Sequence, residues 1–318
     1  MINEMDILKD LVSLNTIQDK ENQSFLNYIE EFLTKLQFKT IRKEKYLIMS
    51  TGKEPKLGFI GHSDTVNYIE GWNTNPFELT KKDNKLYGLG ACDMKGGIAA
   101  FLQALTETDL KSLNNGIKIY ITYDEEIAFE GIKKIIETNE NFPEYIIVGE
   151  PTDNKVITGC KGLFAVKIYT YGDKVHSSRP DKGKNANSIM IKLLNELEKF
   201  YEIKIKKELN LNYEVPYTTM NISLLNGGNS INSLADKCET YVDFRIIKEE
   251  HIQSIKEKLQ NLCKKYNARY EVDFQILPFF NSIDFINKQE TACFMTEASF
   301  VNSKRIILGP RTSCSTWN

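Results

Sequence analysis

Three short apolar runs in the first half of the chain each lead to histidine or acidic residues. The runs are Leu57–Ile60, Ile117–Tyr123 and Tyr145–Val148, and they lead to His62, to Glu125 and Glu126, and to Glu150. A fourth acidic position, Asp93, lies in a glycine-rich loop that is predicted to open a helix at Met94. In open α/β sheets, ligands collect outside the carboxyl ends of the strands. The pattern therefore predicts an α/β sheet with a ligand site at that edge.

The residue types at this edge favour a metal site. One imidazole and several carboxylates are the nitrogen and oxygen ligands that suit zinc or its neighbours. A histidine after a strand is by itself more often a hydrogen-bonded core residue. Asp64 lies two residues beyond His62, on the same face of an extended segment, and can accept the second ring N–H of a ligating imidazole.

The segment Asp124-Glu125-Glu126 has two interpretations. Alone, it is typical of a solvated acidic turn. After a buried strand, one glutamate can bind metal while the other holds a water molecule, which a hydrolase requires. The loop around Asp93 lacks the phosphate-binding pattern Gly-x-x-x-x-Gly-Lys-Ser/Thr and lies among acids, so phosphate would be repelled there.

The alternation of strands and helices changes near Lys161-Gly162. Residues 1–162 and 278–318 are predicted to form one discontinuous α/β domain with a mostly parallel sheet. Residues 163–277 are predicted to form an inserted α+β domain of the ferredoxin-like β-α-β-β-α-β type. Its predicted elements are strand Phe164–Tyr171, helix 186–201, strand Tyr217–Leu225, strand Cys238–Ile247, helix 249–266 and strand Arg269–Ile276.

The bulk composition excludes several classes of function. The net charge of 318 residues is −2 and the basic residues are scattered, which argues against a nucleic-acid partner and favours a small charged metabolite. The sequence has no apolar run near the roughly 18 residues of a membrane span and no signal-peptide pattern. Its six cysteines are widely spaced and contain no Cys-x-x-Cys pair, so we expect reduced thiols and a cytoplasmic location.

Taken together, these motifs resemble the dinuclear-zinc aminoacylase and carboxypeptidase family of metallohydrolases. The matching pieces are Gly61-His-Ser-Asp-Thr-Val66, Leu86-Tyr-Gly-Leu-Gly-Ala-Cys-Asp-Met-Lys-Gly-Gly97, Asp124-Glu-Glu126, Gly149-Glu-Pro-Thr152 and His176-Ser-Ser-Arg-Pro180. Three further pieces favour the branch that acts on N-acetylornithine: Val215–Asn221, Gly227–Asn232 and Asp243-Phe-Arg245. The similarity extends from the N-terminus to about Pro310.

The resemblance implies a role for each matching residue of the first domain. Asp93 would bridge two zinc ions, His62 and Glu150 would complete one site, and Glu126 would belong to the other. Asp64 would accept a hydrogen bond from the ring nitrogen of His62 that does not bind the metal. Co²⁺ could substitute for zinc.

The resemblance also implies how the remaining residues act. Glu125 would be the general base, and the inserted domain would be a lid through which a homodimer forms. From that lid His176 would reach the partner subunit's site, while Asn232 and Arg245 would hold the substrate.

The function that the resemblance implies is hydrolysis of the amide bond of an N-acyl amino acid. The first candidate substrate is N-acetylornithine, which belongs to arginine biosynthesis, and the second is N-succinyl-diaminopimelate. Dipeptidase or carboxypeptidase activity at the same site is the alternative within the family.

The chain departs from the family pattern at its C-terminal end. Ile306–Pro310 matches, but residues 311–318 lack the histidine that completes the Glu126 site in the family. A shifted or truncated reading frame is our hypothesis for this mismatch. We therefore expect one tightly held metal at most, and an impaired or inactive protein is a further alternative. His251 matches no family position and is expected at the surface.

Overall fold

The computed structural model describes residues 3–17, 22–68 and 71–310. The chain forms two compact units that alternate along the sequence. The first unit comprises Met1–Thr158, Asn281–Glu290 and Thr296–Asn318, and the second comprises Gly159–Phe280 and Thr291–Met295.

The first unit begins with two amphipathic helices, α1 (Glu4–Ser13) and α2 (Gln23–Lys35). A reciprocal capping box between Asn3 and Asp6 starts α1, because each side chain accepts from the other residue's amide. Both helices bury one apolar stripe in the core of this unit. The elements that follow are β1 (Lys39–Arg42), β2 (Tyr46–Ser50), β3 (Pro55–His62), β4 (Thr80–Lys82), β5 (Lys85–Tyr87), α3 (Lys95–Glu107), β6 (Gly116–Thr122), α4 (Glu130–Glu137), β7 (Tyr145–Val148) and β8 (Ile157–Cys160).

The second unit has the predicted β-α-β-β-α-β order. Its elements are β9 (Gly162–Tyr171), α5 (Ala186–Phe200), β10 (Thr219–Gly227), β11 (Lys237–Ile246), α6 (Glu249–Tyr266) and β12 (Arg269–Ile276). The strands form an antiparallel sheet in the order β10-β11-β9-β12. Alternate residues of β9 and β11 are buried with one face of α5 and of α6. The prediction of a ferredoxin-like unit is confirmed.

The chain then adds three short strands, β13 (Phe279–Phe280), β14 (Glu290–Ala292) and β15 (Lys304–Ile307). Within the first unit the sheet order is β1-β2-β6-β3-β7-β15-β8. The four strands β6, β3, β7 and β15 are parallel, whereas β1, β2 and β8 pair antiparallel with their neighbours. The sheet is thus parallel at its centre and mixed as a whole, and the α/β prediction is confirmed.

One prediction about the second unit is wrong. His251 was expected at the surface, but only 1% of it is exposed. It lies four residues before Ile255, on the buried stripe of α6, and its Nδ1 is 2.7 Å from Thr218 Oγ1. The helical spacing outweighs the charged neighbours in sequence.

No helix within the described part of the chain is both long and apolar enough to cross a membrane.

Candidate metal centre

The predicted site residues of the first unit come from the carboxyl ends of neighbouring parallel strands. His62 is the last residue of β3, which pairs with β6 on one side and β7 on the other. Glu125 and Glu126 follow β6 by a short turn, and Glu150 lies two residues beyond β7. Parallel pairing therefore brings these side chains to one edge of the sheet, as ligand sites in open α/β sheets require.

Three of these side chains form a compact group. His62 Nε2 lies 3.0 Å from Asp93 Oδ1 and 3.8 Å from Glu150 Oε1. One ligand atom from each of the three residues can be chosen so that all lie within 4.8 Å of one another. His62 and Glu150 are buried, at 1% and 5% exposure. A single ion could be reached by all three.

Asp93 lies two residues before α3, and Gly97 allows the start of this helix to approach the end of β7 closely. A Cβ atom on Gly97 would lie 1.8 Å from the carbonyl oxygen of Gly149, the residue before Glu150. A Cβ on Gly96 would instead lie 2.5 Å from the Ala91 carbonyl oxygen, in the loop that carries Asp93. Only residues without a Cβ permit this contact between the start of α3 and the end of β7.

Asp64 contacts the site differently from the expectation. His62 Nδ1 lies 2.9 Å from the main-chain carbonyl oxygen of Asp64 and 3.6 Å from its carboxylate. The carboxylate instead accepts the backbone amides of Glu125, at 3.3 Å, and Glu126, at 3.1 Å. The imidazole is thus oriented mainly by a main-chain oxygen, and Asp64 also fixes the loop that carries the two glutamates.

The electrostatic state of the group favours a cation. Burial opposes protonation of His62, but the carboxylates of Asp64 and Asp93 outweigh it and raise the pKa of the imidazole well above its ordinary value. Burial first, and then the Asp93 carboxylate, raise the pKa of Glu150 well above its ordinary value. Among the described residues, no lysine or arginine forms an ion pair with the carboxylate of Asp93 or of Glu150. A divalent ion would favour the ionised carboxylates and the neutral imidazole that metal ligation requires.

The two adjacent glutamates have separate environments. Burial raises the pKa of Glu125 well above its ordinary value, with smaller contributions from neighbouring carboxylates. Burial also raises the pKa of Glu126, to about 7. Glu126 does not join the group formed by His62, Asp93 and Glu150 among the described residues.

The donor set fits a zinc-type ion. Zinc accepts imidazole nitrogen and carboxylate oxygen, and three protein ligands leave one position open for water or substrate. His62, Asp93 and Glu150 supply that number.

The predicted catalytic residue His176 and the predicted substrate-binding residues Asn232 and Arg245 belong to the second unit. His176 follows β9, and its main chain forms an antiparallel bridge with Ser233. The amide of Ser177 donates to the Asn232 carbonyl at 2.9 Å, so His176 and Asn232 lie on adjacent loops. Arg245 lies near the other end of β11, opposite Leu163 at the start of β9. The structure thus separates Arg245 from that pair within this unit.

The first unit contains a further buried carboxylate that the sequence did not predict. Glu297 is 0% exposed and accepts a hydrogen bond from Thr122 Oγ1 at 2.7 Å. Thr122 is the last residue of β6 and pairs with His62 across the sheet. In the sequence Glu297 lies between Thr296 and Ala298, and this local sequence is typical of a surface turn. Its position depends on contacts across 175 residues of sequence, so no local signal could have revealed it.

The C-terminal end reaches this region as far as the structure describes it. The Gly309 amide donates to Thr152 Oγ1 at 3.2 Å, and the Gly309 carbonyl accepts from the Asn154 amide at 3.0 Å. Residues 311–318, where the family pattern places its last histidine, lie outside the described residues.

Comparison with known proteins places the chain in a family. Residues 158–271 match the peptidase dimerisation domain of the M20 family. The acetylornithine deacetylase of Buchnera aphidicola from Acyrthosiphon pisum (strain Tuc7) is 32% identical to the chain, and the match covers 96% of this chain and 89% of that protein.

Solved structures share the fold at lower sequence identity. The M20 family metallo-carboxypeptidase of Sulfolobus solfataricus has a TM-score of 0.77 at 20% identity, covering 97% of this chain and 91% of that chain. A dinuclear metal binding peptidase of the M20 family from Bacillus subtilis has a TM-score of 0.65 at 14% identity, covering 96% and 88%. The near full-length similarity to acetylornithine deacetylase and the matched dimerisation domain show that the chain is a hydrolase of the M20 family.

Proposed function

We propose that this protein hydrolyses the amide bond of an N-acyl amino acid, with N-acetylornithine as the substrate and ornithine and acetate as the products. The observation that carries the chemistry is the approach of His62, Asp93 and Glu150 to one another, with the half-buried Glu125 close enough to interact with their charges. The observation that favours this substrate is 32% identity to an acetylornithine deacetylase over 96% of the chain.

In this proposal His62, Asp93 and Glu150 hold a zinc ion, for which Co²⁺ can substitute. The metal, when bound, supplies Lewis acidity to the acyl carbonyl and to the attacking water. Glu126 belongs with Asp93 to a second, weaker site. The imidazole and carboxylates are deprotonated when they bind, so metal binding releases protons.

Glu125 is the general base. Its half-buried carboxylate takes the proton of the attacking water and later returns it to the leaving amine. A pKa well above the ordinary range makes this carboxylate a better proton acceptor, which supports the role. Asp64 supports the base by accepting the Glu125 amide.

The second unit is proposed to form a homodimer and to supply the substrate contacts. The match to a peptidase dimerisation domain supports the dimer. His176 would donate to the oxyanion that develops on the acyl carbonyl, as preorganised donors do. Asn232 and Arg245 would hold the polar groups of the amino acid.

Substrate comparison tests the proposal. Purified protein supplied with Zn²⁺ or Co²⁺ should release acetate from N-acetylornithine faster than it releases succinate from N-succinyl-diaminopimelate or cleaves dipeptides. A chelator should stop the reaction, and the metal should restore it. Faster cleavage of dipeptides would favour the peptidase alternative. Peptidases are among the solved structures that share this fold. The comparisons give no support to an inactive protein.

A further inference from the structure

The buried carboxylate of Glu297 has a role that the proposed chemistry leaves unassigned. It lies in a short 3-10 helix, Glu297–Phe300, where the Thr296 side chain caps the Ala298 amide at 3.1 Å. The Arg305 guanidinium reaches the Ala298 carbonyl at 3.4 Å. Both main-chain groups of Ala298, the residue after Glu297, are therefore hydrogen-bonded.

Only one of the two Glu297 oxygens is satisfied within the described part of the chain. Oε1 accepts from Thr122 Oγ1, whereas Oε2 is buried and has no hydrogen-bond partner. A buried carboxylate oxygen without a partner is unfavourable unless a positive charge lies near enough to compensate it. A cation held at the metal centre would supply such a charge.

The carboxylate acts on the metal centre through space. After burial, neighbouring carboxylates that include Glu297 raise the pKa values of Glu125 and Glu150. Burial raises the pKa of Glu297 to about 7, whereas the Thr122 hydrogen bond and the His62 imidazole favour its ionised form. The group of His62, Asp93 and Glu150 does not include Glu297, so its oxygens are not placed as a fourth ligand.

We propose that Glu297 is a positioning residue of the metal centre: its buried negative charge strengthens binding of a divalent cation by His62, Asp93 and Glu150 without ligating it. The inference rests on the proposed metal site. Glu297 accepts a hydrogen bond from Thr122 on β6, and Thr122 pairs with His62 on the neighbouring strand β3. It contributes charge that water cannot screen.

The test is the affinity of metal-free protein for Zn²⁺ and Co²⁺, measured in competition with a chromophoric chelator. Glu297→Gln keeps the shape and one acceptor oxygen but removes the charge. We expect the affinity to fall on the order of 10–100-fold. The melting temperature of the metal-free variant should not fall, because an unpaired buried charge is lost. The Co²⁺ absorption spectrum should keep its shape, because the ligands are unchanged.

Two variants separate charge from geometry. Thr122→Val removes the hydrogen bond to Glu297 but leaves the carboxylate, so it should reduce affinity much less than Glu297→Gln. Glu140→Gln is the matched control, because Glu140 is a largely buried carboxylate bound by Lys118 and Tyr120 in the middle of β6. It should leave metal affinity unchanged.

The outcomes are distinct. Wild-type affinity in folded Glu297→Gln protein, a changed Co²⁺ spectrum, or an equal loss in Thr122→Val would each overturn the role of Glu297. Absence of metal binding by the wild-type protein would instead overturn the proposed metal site itself.

Discussion

Glu125 and Glu126 are adjacent in sequence yet have different surroundings in the structure. Both amides donate to the Asp64 carboxylate, which fixes the main chain of the loop. The half-buried Glu125 carboxyl lies close enough to His62 and Asp93 for their charges to act on its pKa. Glu126 lies outside the group of His62, Asp93 and Glu150 among the described residues. Different chemical roles follow from these surroundings.

Substitution of each glutamate should separate base from ligand. Glu125→Ala should lower the turnover rate by roughly 10²–10⁴-fold, the usual contribution of a general base, while metal content stays at the wild-type level. Glu126→Ala should lose metal from the weaker site and leave the other site filled. Metal analysis and turnover of the same preparations test this, and metal loss in Glu125→Ala alone would reverse the two roles.

At the scale of elements, the contact between α3 and the end of β7 places Asp93 beside Glu150. Gly97→Ala inserts a Cβ atom where only 1.8 Å separates it from the Gly149 carbonyl oxygen, so the helix must move. We expect a loss of about 1–3 kcal/mol in the free energy of unfolding, as for other overpacked sites, together with weaker metal binding.

Gly52→Ala is the matched control for that substitution, because a Cβ atom at Gly52 would meet nothing within 4 Å. Denaturant unfolding and metal titration of both variants check the expectation. Equal stability and equal metal affinity in the two variants would show that α3 does not depend on this close approach.

The buried imidazole of His251 gives the second unit a pH-dependent stability. Burial is the main cause that lowers the pKa of His251, reinforced by Lys248 and opposed by the carboxylates of Glu208 and Glu250. In the unfolded chain this imidazole titrates near pH 6.5. Below that pH the unfolded chain takes up a proton that the folded chain resists, so stability falls as pH falls.

His251→Gln should therefore reduce the dependence of stability on pH. We expect the free energy of unfolding to decline less in the variant than in the wild type between about pH 7 and pH 5. Urea unfolding at several pH values, followed by circular dichroism, measures the difference. Parallel declines in the two proteins would mean that His251 is not the group responsible.

The sequence predicted most elements because their signals are local. The helix at 249–266 and the strand at 269–276 occupy the predicted residues, and in the helix the apolar spacing agrees with burial. The strand expected from Tyr217 instead begins at Thr219. The preceding segment turns back on itself, because the carbonyl of Pro216 accepts the Asn210 amide. Such turns depend on contacts that periodicity does not report.

The site was predictable where strand ends determine it and unpredictable elsewhere. His62, Asp93 and Glu150 approach one another because parallel strands and a glycine contact place them, and each carries a sequence motif. The partner of the His62 ring was not predictable, because a main-chain oxygen of Asp64 lies nearer than its carboxylate. Glu297 could not be found locally because the fold brings it to Thr122 from the distant end of the chain.

At the scale of the whole molecule, the proposed homodimer predicts that His176 acts on the partner subunit's site. Mixing His176→Ala chains with Glu125→Ala chains should create one complete site in each mixed dimer. With equal amounts and random exchange, about a quarter of wild-type activity should return. Each variant alone should stay inactive.

Subunit exchange must be verified in that experiment, for example by co-purification of differently tagged chains. If exchange is complete and activity remains absent, His176 acts within its own subunit or outside catalysis. Either result leaves the metal site of the first unit unaffected.

The most direct test of the account is the position of zinc in crystals of this protein, located by anomalous scattering at the zinc absorption edge. We predict a peak about 2.0–2.2 Å from His62 Nε2 and from one carboxylate oxygen each of Asp93 and Glu150. The same peak should be lost in His62→Ala crystals grown with equal zinc. Zinc bound elsewhere, or a peak that persists without the imidazole, would contradict the assignment of these three residues as the metal ligands.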